Sequence, residues 1–246
     1  MKNIGKQMLL VVTVITYFYG SIQAQSTLES NNGLTVKQRS IIPIAAYTAK
    51  GDLQHLESAL NQGLDAGLTV NEIKEVIVHL YAYCGFPRSI RGLQTFMEVL
   101  DERKARGIND EVGTVASPVA ADGRSKYDRG KENLETLTGR SLTGPQSGYA
   151  AFAPVVEIFL KEHLFADIFD RDVLTFAERE LVTISVLSSI GGVEPMLRSH
   201  LSICLNVGFS PEQLKEFTGI IKSYIGKKEA RAAQGVLDEV LQNMQS

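Results

Sequence analysis

Residues 67–87 read Gly67-Leu68-Thr69-Val70-Asn71-Glu72-Ile73-Lys74-Glu75-Val76-Ile77-Val78-His79-Leu80-Tyr81-Ala82-Tyr83-Cys84-Gly85-Phe86-Pro87, and much of this pattern returns at 208–226. Thr69 stands where it can cap a helix N-terminus while Glu72, three residues on, reaches back to it, the reciprocal arrangement of a capping box. Ser210 and Gln213 hold the same places in the second stretch, with Pro211 at the first helical position, where its missing N–H costs nothing. Ile73, Val76, Ile77, Leu80 and Cys84 follow a 3.6-residue period and give the first stretch one apolar face. Gly85 and Gly226 end the two helices, as residues free to adopt positive φ do.

Working outward, residues 35–100 lie over 175–241 with one residue inserted in the second copy. Thr35, Arg39, Ile44 and Gly51 meet Thr175, Arg179, Ile184 and Gly191 at an offset of 140. Beyond the insertion the offset is 141, and Leu60, Gly67, Lys74, Glu75, Tyr83 and Gly85 meet Leu201, Gly208, Lys215, Glu216, Tyr224 and Gly226. Each copy reads as helices, in the first from Val36 to Ala49, Leu53 to Leu64, Thr69 to Cys84, and Pro87 to Leu100. Pro43, inside the first run, should kink it; its counterpart is Thr183.

Between the copies, 107–124 and Thr143-Gly144-Pro145 have loop composition, while Lys126 to Leu137 and the amphipathic stretch Ala150 to Phe169 read as helices. No run alternates polar and apolar residues, so the expected fold is all-α with two pseudo-equivalent units. The expected divisions are a signal peptide at 1–24, a first unit at 25–106, a connecting region at 107–170 and a second unit at 171–246.

Lys2 and Lys6 precede an apolar stretch from Met8 to Tyr19 that ends in Ser21-Ile22-Gln23-Ala24, the pattern of a secretory signal. The stretch falls short of the roughly 20 residues of a membrane span. Cleavage near Ala24, a periplasmic or secreted destination and no membrane span after cleavage are therefore expected. The mature chain has ample apolar content for a core, with 44% hydrophobic residues overall. A net charge of −3 gives no electrostatic footprint for nucleic acid.

The segments Arg179-Glu180-Leu181-Val182-Thr183, His200-Leu201, Gly208-Phe209-Ser210 and Tyr224-Ile225-Gly226 resemble the carboxymuconolactone decarboxylase family. Gly67-Leu68-Thr69, Asn71-Glu72-Ile73-Lys74-Glu75-Val76 and Tyr83-Cys84-Gly85-Phe86-Pro87 are similar to that family's motifs in the first copy, and Phe169-Asp170-Arg171 resembles the arm of its decarboxylase branch. The resemblance implies a helical, alkylhydroperoxidase-like unit that oligomerises, with sites near subunit contacts. A fused double unit then suggests a homo-oligomer, a trimer of double units.

It also implies two chemistries. The peroxidase branch carries a Cys-x-x-Cys pair. Here the matching stretch reads Glu194-Pro195-Met196-Leu197-Arg198-Ser199-His200, and Cys84 and Cys204 stand elsewhere without resolving partners. The decarboxylase branch keeps a Glu and a His, which Glu180 and His200 match. Removing carbon dioxide from a carboxylated lactone leaves an extended enolate, which calls for a charge-stabilising group and an acid to return the proton. On that reading His200 is the proton donor, suited to neutral pH, and Glu180 its orienting partner. Arg179 or Arg198 would hold the substrate carboxylate as a bidentate pair, although Arg179 also reads as structural because Arg39 survives in a copy lacking the pair.

The expected substrate is a small carboxylate or lactone. Neither a metal nor any other cofactor is expected, because no His pair has metal-ligand spacing. His55, His79 and the tyrosine pair Tyr83 and Tyr224 read as packing or surface residues, and the first copy as mainly structural. Two further readings stand beside the leading one: an alkylhydroperoxidase-like antioxidant using Cys84 or Cys204, and a non-catalytic assembly or binding protein.

Overall fold

The computed structural model describes residues 33–119 and 122–244, and the expected signal peptide lies outside them. All regular structure among the described residues is helical. The first copy comprises α1 (Val36–Lys50), α2 (Leu53–Asp65), α3 (Val70–His79) and α4 (Tyr81–Ala105). The connecting region holds α5 (Lys126–Thr138), α6 (Gly148–Phe152), α7 (Pro154–Phe159) and α8, a π-helical segment (Leu160–Ile168). The second copy comprises α9 (Phe176–Ile190), α10 (Glu194–Asn206), α11 (Pro211–Tyr224) and α12 (Lys227–Asn243). No helix among the described residues is long and apolar enough to cross a membrane.

The duplication reaches down to the caps. Thr69 with Glu72 and Ser210 with Gln213 form the capping boxes read from the sequence, and Thr35 with Gln38 and Thr175 with Glu178 form a second matched pair at α1 and α9. Each satisfies backbone N–H groups that a helix start leaves without partners. Gly85, at φ 82° and ψ 158°, breaks the helical path within α4, so the chain turns there as expected. That combination is open to glycine and essentially to no other residue.

α1 and α9 pack against each other at the centre, and both are buried from their second turns onward. Ile41, Ile42, Ile44 and Ala45 of α1 share one apolar core with Leu181, Val182, Ile184 and Val186 of α9. The two units therefore fold around a common core.

Two expectations need correction. α1 runs through Pro43 as a single helix from Val36 to Lys50, with Pro43 itself buried. The stretch from Ala150 to Phe169 is not one helix: Ala153 leaves helical conformation at φ −134° and ψ 74°, and the chain restarts at Pro154. The residue before a proline is sterically pushed out of the α region, which accounts for the break. The apolar face expected there splits in consequence. Leu164 is buried, whereas Phe152 is 92% exposed and Val155 and Phe159 are also on the surface.

α5 and α8 pack tightly where Gly130 meets the backbone of Lys161; a β-carbon at that glycine would stand 1.7 Å from the Lys161 carbonyl oxygen. Asn133 ties the same two segments by donating to the Phe165 carbonyl and to Asp170. Leu137 of α5, Leu164, Phe165, Ile168 and Phe169 form a second, smaller apolar cluster with Ile203 of α10. Gly130→Ala is expected to lower the melting temperature by several degrees, since a backbone clash cannot be relieved by a rotamer change; unchanged melting would contradict the close approach.

Candidate active site

α9 carries Glu180 on its second turn and α10 carries His200, and their packing brings the two side chains together. His200 Nδ1 lies 2.7 Å from Glu180 Oε2, with the Glu180 side chain fully buried and the His200 side chain 13% exposed. A carboxylate at Nδ1 accepts its proton and fixes the ring's orientation, leaving Nε2 as the nitrogen available for proton exchange. That nitrogen has no hydrogen-bond partner among the described residues.

Arg179, the preceding residue on α9, points into a different polar cluster. It is fully buried; Nη2 donates to the Arg171 carbonyl at 2.5 Å and to Glu75 Oε2 at 3.3 Å, and Nη1 donates to His79 Nδ1 at 3.4 Å. Arg171 also binds both carboxylate oxygens of Glu75 through Nε at 3.0 Å. Burial pushes the Glu75 carboxyl upward, but the Arg171 hydrogen bonds and the charges of Arg171 and Arg179 outweigh it and hold Glu75 below its ordinary value. Both terminal nitrogens of Arg179 are thus committed, and the bidentate carboxylate grip expected of it is closed. Arg198 lies on the outer face of α10, paired with Glu239 of α12, and takes no part in the cluster around His200.

The first copy supplies what the sequence did not lead us to expect. His79, at the end of α3, is fully buried and its Nε2–H donates to Thr183 Oγ1 at 2.9 Å. With Nδ1 accepting from Arg179, the ring is the neutral tautomer. Burial, and then the charges of Arg179 and His200, hold its pKa well below the ordinary value. Tyr83 places its ring edge-on to His200 at 5.9 Å and tilted over His79 at 5.4 Å. Phe169 from the connecting arm closes over His79 at 5.3 Å. The site is therefore composite, with α9 and α10 of one copy meeting α3 and α4 of the other.

The pseudo-equivalent position shows what that composition means. A cleft of about 170 Å³ is lined by Val36, Arg39, Ser40, Pro43, Ala59, Gln62, Ile220 and Tyr224. Through the repeat, Ser40 stands for Glu180, Ala59 for His200, Ile220 for His79 and Pro43 for Thr183. Only Arg39 and Tyr224 keep the residue types of their mates, Arg179 and Tyr83. Arg39 pairs with Glu216 at 2.5 Å as Arg179 pairs with Glu75, so each copy's first helix sends an arginine to the other copy's third. The difference between Pro43 and Thr183, without a reason in the sequence, acquires one: Thr183 provides the hydroxyl that His79 bonds.

The neutral His79 has a consequence for stability. Because its folded pKa is depressed, the unfolded chain takes up a proton near pH 6.5 that the folded chain refuses. Stability from this group is present above about pH 6.5 and lost as pH falls below it. Urea midpoints are expected to fall between pH 7.5 and 5.5, and less steeply in His79→Gln, which keeps an acceptor and a donor but does not titrate. Parallel pH profiles for the two proteins would show that His79 is not the group responsible.

Cys84 and Cys204 are both free thiols. Burial pushes Cys84 up to about 11, where its Sγ–H bonds the Leu80 carbonyl, and raises buried Cys204 well above its ordinary value. Among the described residues no three His, Cys, Asp or Glu side chains are arranged to hold a metal ion.

Comparison with known proteins agrees with the duplicated architecture. The model of the carboxymuconolactone decarboxylase family matches twice, at residues 22–96 and 154–239. The 4-carboxymuconolactone decarboxylase of Acinetobacter baylyi is 33% identical over 120 residues, which cover 48% of this chain and 89% of that protein. The chain belongs to the carboxymuconolactone decarboxylase family.

Proposed function

We propose that this protein is an exported, cysteine-independent enzyme that performs acid-base chemistry on a small carboxylate-bearing lactone or related molecule. The observation that carries the proposal is the 2.7 Å contact between His200 and the fully buried Glu180 at a partly open site. In the reaction implied by the relative's name, the bond to the departing carboxylate breaks and its electron pair enters the lactone's extended enolate. His200 then returns a proton to carbon and is reset from solvent, while Glu180 keeps its ring oriented. Export would place the true substrate outside the cytoplasm, and residues 1–24 are the proposed cleaved signal.

A thiol peroxidase is disfavoured by the raised pKa of both cysteines, since the thiolate is the nucleophile and little of it forms at neutral pH. The test is carbon dioxide release from a panel of carboxylated lactones, run beside peroxide reduction. Cys84→Ser combined with Cys204→Ser should leave lactone turnover unchanged. Peroxide reduction that vanishes in that variant, with no lactone turnover in the wild type, would overturn the proposal. A wild type inert to both panels would favour a binding or assembly role.

We also propose a homo-oligomer, a trimer of double units. Its support is the run of exposed apolar side chains on α6 and α7, Phe152, Val155, Val156 and Phe159, since grouped exposed apolar residues mark contact surfaces. Light scattering should give a mass near three chains, and Phe152→Asp should shift it downward; a monomeric wild type would exclude the assembly.

A further inference from the structure

Four buried side-chain polar atoms among the described residues lack a hydrogen-bond partner; Arg179 Nε and Ser188 Oγ lie apart, and two, the Tyr83 hydroxyl and Glu180 Oε1, belong to residues that touch His200. Buried polar groups are nearly always paired, so each exception needs an explanation. Leaving one unpaired forfeits its hydration with nothing in return. Two such atoms on residues that touch a partly exposed histidine point to an oxygen-bearing occupant.

The chemistry of the two atoms narrows what the occupant is. Burial, and then the charge of Glu180, raise the Tyr83 pKa against the opposing pull of the nearby Thr183 hydroxyl and the Arg179 charge, so the phenol is neutral. Thr183 Oγ1 is engaged by His79 and the Arg179 carbonyl and makes no well-formed bond to the phenol, which leaves it available as a donor. Glu180 Oε1 is the acceptor at hand, near enough for the Glu180 charge to act on the phenol. A carboxylate in this seat would meet Glu180 with like charge and would have no proton to offer Oε1. A carbonyl oxygen would satisfy Tyr83 and leave Oε1 still unpaired. A hydroxyl satisfies both, accepting from Tyr83 and donating to Glu180.

We propose that the position between the Tyr83 hydroxyl and Glu180 Oε1 is the seat of the substrate's enol oxygen, held by water in the resting protein, and that Tyr83 is a catalytic residue contributed by the first copy. This rests on the acid-base reading of Glu180 and His200. Loss of carbon dioxide moves an electron pair onto the conjugated carbonyl oxygen as an enolate. A proton from the Glu180–His200 pair neutralises that oxygen, and the resulting enol hydroxyl makes both hydrogen bonds of the seat. His200, recharged from solvent, then protonates carbon, the carbonyl reforms, and the enol proton returns to the pair, so that one proton in all is taken from solvent. The substrate class is accordingly an acid whose departing carboxylate is conjugated to an enolisable carbonyl, with that carboxylate lying outside the seat.

The twin position supplies the control. Tyr224 keeps the phenol, but Ser40 and Ala59 stand where the acid-base pair would be, so its hydroxyl faces no buried carboxylate.

The test is a high-resolution crystal structure of the mature protein together with kinetics. An ordered water is expected within hydrogen-bond distance of both Tyr83 Oη and Glu180 Oε1, and Tyr83→Phe should lose it while keeping the Glu180–His200 contact. On a lactone the wild type turns over, Tyr83→Phe should lower kcat by about 10²-fold, as removal of one preorganised donor does, with KM little changed; Tyr224→Phe should change neither. A wild-type seat with no oxygen density, or full kcat in Tyr83→Phe, overturns the assignment. If no lactone is turned over at all, the acid-base reading fails separately, and the crystal structures still decide whether the seat holds an oxygen. Should Tyr83→Phe fail to fold, the wild-type density alone decides.

Discussion

Glu75→Ala will destabilise the folded chain by about 3–5 kcal/mol, the cost of leaving a buried charge without its partner. Arg179 is fully buried and Glu75 nearly so, so removal of the carboxylate leaves the guanidinium charge without its counter-ion inside the protein. The duplicated architecture provides an internal reference of the same chemistry. Arg39 and Glu216 form the pseudo-equivalent pair, with side chains 47% and 27% exposed. Glu216→Ala should therefore cost about 0–1 kcal/mol from the ion pair, plus what is lost when the Leu34 N–H loses its acceptor. Urea denaturation at neutral pH compares the two directly. The ion-pair contribution of Glu75 is fully present above its unfolded pKa and drains away as pH falls through the depressed folded value, so the gap between the two variants should narrow in acid. Equal costs at neutral pH would mean that burial does not distinguish the pairs and that the cluster around Arg179 is solvated.

The contrast between those pairs shows how far sequence reached. Caps, helix ends and the repeat were legible because they depend on residues three or four positions apart: Thr69 with Glu72, Ser210 with Gln213, Gly85 and Gly226. Glu180 and His200 were legible through the family resemblance, and the structure brings them together. His79 and Tyr83 were not, since they reach His200 only when α3 and α4 of one copy pack against α9 and α10 of the other, a tertiary fact with no local signature. One signal was nevertheless available. Where two copies of a helix diverge, a polar residue in one facing an apolar residue in the other marks a position under different demands, and His79 opposite Ile220 and Thr183 opposite Pro43 are such positions. Reading the differences between the copies, beside the identities, would have drawn both to the site. The broken arm was likewise signalled by Ala153-Pro154, which the apolar periodicity of Ala150 to Phe169 overrode.

The other large effect concerns Glu180 and His200 themselves. His200→Gln should lower turnover of a productive lactone by about 10²–10⁴-fold, the range expected for losing a positioned proton donor. Glu180→Gln should do comparable damage by a different route, because an amide at that position can donate as well as accept and no longer dictates which imidazole nitrogen carries the proton. If the two residues work as one unit, removing both should cost little more than removing either, whereas independent roles would multiply the losses. The double variant thus decides between a coupled acid-base pair and two residues that merely adjoin. A variant set in which turnover survives His200→Gln would locate the chemistry elsewhere. Multiplicative losses accompanied by matching losses of stability would instead report damage to the α9 and α10 packing and count against a coupled pair. Folding controls by urea denaturation separate these cases, since His200 is partly exposed at the site's edge and its replacement by Gln should be mild for the core.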